Sequence, residues 1–499
     1  MRVIFWAFIF LISLAAQASA DPVTAAITSF FVSVGASAAT AAALAAIVGR
    51  IALSTAFGFL SRVINGKRDR GQQGLTTPIL LTGDINPQIF IMGTYATSGQ
   101  LAYPPLTHGP TAYKVFVIAV CAKKSATLER IAIDGAWVEI TTTIHADYGN
   151  ELGGKYAGFG WVKYYDGTQT VADPMLVAKY GAHADFPYTT DMVGAGNCYA
   201  IVTLKANTTL FSGNPKILFE LGSIPLYDPR LDTTAGGVGL QRWSDDTTWA
   251  ATENGVVMVY NILRGITTSG DDIWGGQVAE ADVPFAIWSA AMDAADGAGY
   301  KSGFEAKLDD DPAIVVDELL KSFAGSIADV GGRWIINSGA PQQPTLFITD
   351  DDILVSESRT LSPVKSISSL HNAVSISYVS PADVYQPKDA DLYIDPVAQA
   401  EDGGRRLIAA LQMPAVTDAA QVASLQASAL ADDRQKRVHS LTFPARKAGI
   451  EPMDVISWNS AINSYSAQPF EVQSARHDPT TLAQHVTMRA VNYANWQRK

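Results

Sequence analysis

Cysteine is nearly absent: Cys121 and Cys198 are the only two in the chain. That excludes a disulfide framework, and two thiols so far apart in sequence leave no zinc-ligand spacing. Each sits in an apolar, strand-like run and reads as a buried small hydrophobe. Whether they meet depends on a Cα separation that sequence does not contain. Histidine is scarce at 7 residues, and neither a His-Glu-x-x-His helix nor a Gly-x-Ser-x-Gly elbow occurs. Basic residues are outnumbered, 36 against 48 acidic ones, for a formal net charge of -12. A protein that grips duplex DNA normally carries a basic face, so the simplest reading of this balance is a protein that does not grip DNA. An acidic wall past which phosphate slides without adhering remains compatible with the balance, as does an ordinary acidic protein.

Charge is also missing from the amino terminus, where Arg2, Asp21, Arg50 and Arg62 are the only charged residues from Met1 to Gly66. Residues 1–20 combine Arg2, an apolar run holding Phe5, Trp6, Phe8 and Phe10, and the small-residue end Ala18-Ser19-Ala20. That is the pattern of a secretory signal, cleaved after Ala20 in an exported protein. Residues 21–66 stay apolar and rich in alanine, and include Phe30 and Phe31. Roughly 28 uncharged residues are long enough to span a bilayer as a helix, yet their small side chains suit helix-to-helix packing better than lipid exposure. Two readings therefore stand: a signal followed by mature protein, or an apolar helical segment acting as a plug or membrane contact through Phe5, Trp6, Phe8, Phe10, Phe30 and Phe31.

The polar stretch 67–77 reads as a linker. Over 78–226 the signals are mainly strands: Gln88–Met92, Tyr113–Val120, Tyr199–Leu204 and Lys216–Leu221, rich in β-branched and aromatic residues. Asp134-Gly135 and Asp166-Gly167 read as hairpin turns, and 145–195 as an irregular insertion. The pattern over 227–354 is mixed. One helix is expected over Pro284–Ala294, with Asp282 as its cap and Phe285, Ile287, Trp288 and Met292 at helical spacing; another opens at Asp311-Pro312. Residues 355–499 return to strands at Ala373–Val379, Val438–Phe443 and Pro469–Val472. A helical insertion lies over 396–437, with Asp418 as cap and Gln421 in a capping-box position.

No reacting constellation emerges. Gly153, Gly154, Gly158 and Gly160 miss the dinucleotide and phosphate-loop spacings and read as a flexible loop. Asp309–Asp311 and Asp350–Asp352 lack the alternating ligands of a calcium loop and read as solvated turn and cap residues. The sequence therefore predicts no catalytic residue, no cofactor site and no metal site, and a protein that is not an enzyme.

The most informative stretch is Tyr227-Asp228-Pro229-Arg230, then Trp243-Ser244-Asp245, then the apolar run Gly255–Leu263. It combines a proline-stiffened turn, a polar loop with one large aromatic and a segment entering a core. In this order the pieces resemble the central tail hub of long-tailed bacteriophages, the lambda-type tail tip family related to hubs of contractile tails and gene transfer agents. Ile131–Val138, the Gly332 and Trp334 stretch Val330–Ile336, and Thr349–Ile353 with Asp351 and Asp352 extend the resemblance, which runs from about Thr77 to the carboxyl terminus. One departure is that Glu253-Asn254-Gly255 stands where the family opens its apolar helix with Asn-Pro.

The resemblance implies an α+β, mainly β fold: two hub-type β-barrels (78–226 and 355–499) flanking a mixed α/β domain (227–354), preceded by the apolar segment. It implies a structural hub at the distal end of a bacteriophage tail, closing the tube and gating genome ejection. Expected partners are two further copies in a homotrimer, the distal tail protein, other tip or fibre proteins and the tape measure protein, with DNA passing through unbound. Assembly in the host cytoplasm, residence at the tail's distal end and host-membrane contact through the amino terminus would follow. Receptor recognition would fall to a partner. The alternative, favoured by the signal-like start, is an exported bacterial envelope or carbohydrate-binding protein.

Overall fold

The computed structural model describes residues 87–109, 112–211, 213–268, 273–363, 369–435 and 437–491. The signal-like segment, the apolar segment and the linker, with Phe5, Trp6, Phe8, Phe10, Phe30 and Phe31, lie outside the described residues. What is described is mainly β, with six α-helices.

The first β region begins with β1 (Ile89–Met92), β2 (Tyr95–Thr97), β3 (Gln100–Leu101), β4 (Leu106–His108) and β5 (Tyr113–Cys121). It continues with β6 (Leu128–Ile133), β7 (Ala136–Val138), β8 (Ile140–His145), β9 (Gly149–Leu152), β10 (Gly160–Asp166), β11 (Cys198–Lys205) and β12 (Ile217–Leu221). One sheet runs β3-β5-β11-β10-β9-β8, with β4 also on β5, and a second runs β2-β12-β6-β7. The two sheets share both corners. Only Ser98-Gly99 separates β2 from β3, and only Glu139 separates β7 from β8, so the chain passes from the edge of one sheet to the edge of the other at each end. Gly99 makes its corner possible: its φ is 65°, and a Cβ there would lie 2.5 Å from the Ile118 side chain. Between the sheets pack Phe116, Ile118, Val162, Ala200 and Val202 against Ile131, Ile133, Phe219 and Leu221. The hydrogen-bond ladder breaks at the corners, so the unit is a corner-sharing sandwich, and among the described residues no sheet closes into a barrel.

Asp134-Gly135 turns β6 into β7 with φ of 51° and 78°, as a two-residue hairpin requires. Asp166-Gly167 does not make the expected hairpin. β10 pairs with β11, but the chain first runs through α1 (Pro174–Tyr180) and returns at Cys198. The expected insertion shrinks accordingly, because β9 and β10 extend the sheet and only 167–197 leaves it. Gly154–Tyr156 form a short 3-10 turn between these strands, and Gly160 opens β10. The excursion buries Met175, Leu176, Tyr180 and Tyr188 on Val115, Val117, Trp161 and Ile201, the outer face of the sheet.

In the mixed region, β13 (Pro225–Leu226) pairs with β14 (Ala250–Ala251), and α2 (Gly255–Arg264) follows. The Asn254 side chain accepts from Val256 N at 2.9 Å and Val257 N at 3.2 Å, so Asn254 caps the helix. Gly255 is required by packing: a Cβ there would lie 2.9 Å from the Phe323 ring. Every α2 residue except Arg264 is buried. After the short β15–β16 hairpin (Ile266–Thr267, Ile273–Trp274) come α3 (Phe285–Ala298), β17 (Phe304–Lys307) and α4 (Pro312–Ser322). Both α3 and α4 pack on α2. Asp311 caps α4 through Ala313 N at 3.0 Å, as expected. Asp282 does not cap α3. It ends a separate 3-10 turn, and Pro284 takes the cap position without a side-chain bond. Trp288 and Met292 are buried but Ile287 points outward, 38% exposed. β1 pairs with β17, and β18 (Ser326–Val330) turns into β19 (Arg333–Asn337) across Gly331-Gly332 with φ of 61° and 87°.

The carboxyl-terminal region holds β20 (Leu346–Thr349), β21 (Thr360–Ser362), β22 (Ala373–Ser380), β23 (Gln386–Asp389), β24 (Tyr393–Ile394), α5 (Pro396–Glu401) and β25 (Ile408–Met413). It ends with α6 (Ala419–Asp433), β26 (Val438–Phe443), β27 (Val455–Ser460), β28 (Tyr465–His477) and β29 (Gln484–Ala490). The expected helical insertion thus contains a strand, β25, parallel to β22. α6 covers β22. Asp418 caps α6, but Gln421 does not complete a capping box. Its amide donates to Lys301 O at 2.9 Å and Ser322 O at 2.6 Å and accepts from Lys301 N at 3.0 Å, fixing α6 to the mixed region. Tyr385 Oη donates to Glu220 at 2.8 Å and Trp137 Nε1 to Pro381 O at 2.9 Å, joining this region to the first.

The last sheet runs β20-β27-β28-β29-β26-β21. Its two edge strands are ends of one segment bent at the 3-10 turn Asp350–Asp352, capped by Thr349. Leu354 N donates to Thr442 O at 2.9 Å and Lys447 Nζ to Phe347 O at 3.3 Å, so the edges approach each other. The curl encloses Ile348, Ile353, Phe443, Ile456, Trp458, Phe470 and Met488. Among the described residues no helix is long and apolar enough to cross a membrane.

Candidate functional site

Pairing of β13 with β14 ties off the loop 227–249, and the loop is organised by side chains it meets at both ends. Tyr227 N donates to Asn261 Oδ1 at 3.0 Å, and Asn261 Nδ2 donates to Tyr227 O at 2.8 Å and Val257 O at 2.8 Å. An amide in the middle of a buried helix thus takes the place of a neighbouring strand for Tyr227. Tyr227 Oη donates to Asp232 at 2.8 Å, and Asp232 also accepts from Arg242 Nη1 at 2.9 Å and Thr234 N at 2.7 Å. Burial pushes the Asp232 carboxyl up, but hydrogen bonds from Thr234 and Tyr227 and the Arg242 charge outweigh it, leaving it below the usual carboxylate range.

Asp228 does what an aspartate before proline does: its side chain accepts from Arg230 N at 2.9 Å and opens the 3-10 turn Pro229–Leu231. The same carboxylate takes Arg230 Nη2 at 2.7 Å. Arg230 Nη1 reaches Asp293 and Asp296 on α3, both at 2.8 Å. Asp296 in turn accepts from Asn254 Nδ2 at 2.8 Å, so the turn, the end of α3 and the cap of α2 form one network. Burial opposes the Arg230 charge, yet the three carboxylates hold it above its usual value.

Aromatic rings complete the junction. Tyr227 meets Trp243 edge-on at 5.3 Å, Trp243 lies 5.3 Å from Trp249, and Tyr260 links Tyr227 at 6.1 Å to Trp288 at 5.5 Å. Arg264 sits 4.4 Å over Trp243, and Lys123, from the loop after β5, lies 5.3 Å from the Trp249 ring. Trp288 Nε1 donates to Trp334 O at 2.8 Å, extending the chain of contacts to the β18–β19 hairpin.

The structure therefore brings Tyr227, Asp228, Pro229, Arg230 and Trp243 together. Trp334 accepts from Trp288 through its carbonyl and is buried in the same core, and Gly332 serves its hairpin turn. Asp351 and Asp352 belong to the bend of the last sheet, where Asp352 pairs with Arg446 at 3.4 Å and Lys447 at 3.5 Å. Sequence reasoning missed Asp232, Arg242, Trp249, Asn254, Asn261, Asp293 and Asp296, and also Gln241, whose amide oxygen accepts from Asp228 N at 2.8 Å. Asn261 carried a signal, since a lone amide inside a run of aliphatic residues needs a buried partner.

The arrangement ties the 3-10 turn Pro229–Leu231 to α2 and α3. The carboxylates at the junction are committed to arginine, amide or hydroxyl partners. Among the described residues no group of three or more His, Cys, Asp or Glu side chains could hold a metal ion. An open cleft of about 580 Å³ on the last sheet is lined by Thr349, Asp350, Asp351, Asn459, Ser460 and Tyr465, and the Ser460 hydroxyl hydrogen-bonds to the Asp350 carboxylate.

Residues 312–473 match the family model Phage-tail_3, described as "Putative phage tail protein". No curated protein matches the chain. Among solved structures, the chain is similar to one from the "Virion of native gene transfer agent (GTA) particle", with a TM-score of 0.57 and 14% identity over 90% of this chain and 94% of that one. This likeness shows a shared fold. Two prophage tail proteins also align. The 43 kDa MuSo2 protein of Shewanella oneidensis has a TM-score of 0.29 at 8% identity, covering 83% of this chain and 96% of its own. The gp18 protein of Listeria monocytogenes EGD-e has a TM-score of 0.27 at 10% identity, covering 82% of this chain and 95% of its own. The family match supports a structural protein of phage tails.

Proposed function

We propose that this chain is the hub at the distal end of a phage-type tail, a non-enzymatic homotrimer that closes the tube and gates genome passage. The observation that carries the reading is the fold shared over 90% of the chain with a gene transfer agent virion protein. The family match over 312–473 supports it independently. In this reading the 78–226 and 355–499 units are the two hub modules on either side of the 227–354 region. The first is a corner-sharing sandwich, the second combines most of the curled sheet with the β22–β25 sheet and α6, and three copies place six modules against a sixfold tube. The junction of Tyr227, Asp228, Pro229, Arg230 and Trp243 sets the angle between the first module and the helices, with Gly332, Trp334, Asp351 and Asp352 shaping turns beyond it. The distal tail protein, tip or fibre proteins and the tape measure protein are the neighbours, and the net charge of -12 lets DNA pass without adhering. The amino-terminal apolar segment plugs the lumen or meets the host membrane. The native mass of the purified chain with its neighbouring tail proteins tests the reading: three copies per assembly are expected, and a persistent monomer overturns it.

A further inference from the structure

The two cysteines, 77 positions apart in sequence, are register partners: Cys198, the first residue of β11, lies opposite Cys121, the last residue of β5. A bulge arranges this. The ladder steps from Tyr199 opposite Ala119 directly to Cys198 opposite Cys121, leaving Val120 as the extra residue. Without the bulge, alternation would turn Cys121 to the outer face with Val115 and Val117. With it, both thiols face the inner core that holds Phe116, Ile118 and Ala200. Both are free and buried, at 2% and 0% exposure. Directly opposed residues of an antiparallel pair have Cα atoms about 4.5–5.5 Å apart, inside the range a disulfide spans.

We propose that Cys121 and Cys198 are a disulfide-forming pair that closes on exposure to a small-molecule disulfide and clamps β5 to β11 at the mouth of the 167–197 excursion. This inference is independent of the tail reading. Cys198 is the attacking group. A hydrogen bond from Cys121 holds its thiol below the usual value, helped by Tyr164, whereas burial pushes the Cys121 thiol up. The Cys198 thiolate attacks one sulfur of the oxidant, forming a mixed disulfide and releasing one thiolate. The Cys121 thiolate then attacks the Cys198 sulfur, forming the internal bond and releasing the second thiolate. The protein loses two electrons and two protons, and the oxidant becomes two thiols. Access comes from the loop ends: the chain leaves the sheet directly after Cys121 and enters it directly at Cys198.

The test incubates the native full chain with oxidised glutathione or with dithiothreitol, alkylates it after denaturation and maps non-reduced peptides. Oxidation should produce a single Cys121–Cys198 cross-linked peptide, a mass lower by about 2 Da and no alkylated cysteine. It should also raise the thermal midpoint by several degrees in the natural chain but not in Cys121→Ser or Cys198→Ser. Two alkylated cysteines after oxidation, or glutathione retained on one cysteine without ring closure, would overturn the proposal; either is read on the natural chain, whatever the variants do.

Discussion

Replacing Asn261 by alanine should unsettle the whole junction, because one amide satisfies both backbone groups of Tyr227. Asn261 is fully buried, and its loss leaves Tyr227 N–H and C=O without the partners they have at 3.0 and 2.8 Å. A buried polar group stripped of its partner costs about 1–3 kcal/mol, so two cost about 2–6. Alanine returns roughly 0.5 kcal/mol through its better helix propensity. The third bond, to Val257 O, joins the helix to itself and its loss matters little, because that carbonyl faces Asn261 N–H in the helix ladder. The expected net loss is therefore about 3 kcal/mol, large beside a total stability of roughly 5–15. Urea unfolding followed by tryptophan fluorescence should show a lower midpoint with an unchanged slope, and Trp243 and Trp249 should report the loosened loop. Asn261→Asp should not rescue, since it keeps the acceptor but loses the donor and buries a charge. A loss below about 1 kcal/mol for Asn261→Ala would refute the assignment of Tyr227's backbone to this side chain.

Other outcomes follow from the same geometry. Arg230→Met should cost about 1–2 kcal/mol in equilibrium unfolding, because Asp293 and Asp296 are 70% and 52% exposed and their pairing is screened, leaving Asp228 as the partner that matters. Asp232 has a depressed folded pKa, so its contribution is present above the ordinary carboxylate value and is lost as pH falls through the folded one. Asp232→Asn should therefore flatten the acid limb of the stability curve measured by thermal unfolding below about pH 4, the ordinary carboxylate value, and leave it unchanged at higher pH. Gly99→Ala should cost about 1–3 kcal/mol, since the corner combines a φ of 65° with a close Ile118 contact; circular-dichroism melts of the variant check it.

What sequence disclosed was local. Asp228-Pro229 announces a turn by proline's fixed φ, Asp311-Pro312 announces a helix start, and Asp134-Gly135 announces a hairpin, each because the chemistry lies within a few residues. Expectations failed where a distant partner decided. Gln421 stands where a capping box would use it, yet Lys301 and Ser322 claim its amide. Asp282 precedes a helix by the right distance, but the chain spends it on a separate turn. β9 and β10 open on glycines and carry polar residues, so their place in the sheet follows from pairing rather than propensity. The cysteine pair was invisible because one bulged residue determines which face Cys121 takes. Of the junction, the turn and its aromatic were legible, while Asn261 and the α3 carboxylates required the fold.

A hub occupies a defined position in the particle, which a reconstruction of the intact particle at side-chain resolution would show. The account predicts this chain in three copies around the axis at the distal end of the tube, with the 78–226 and 355–499 units together forming a ring of six. Finding it off the axis, in another copy number, or absent from the tail would contradict the account.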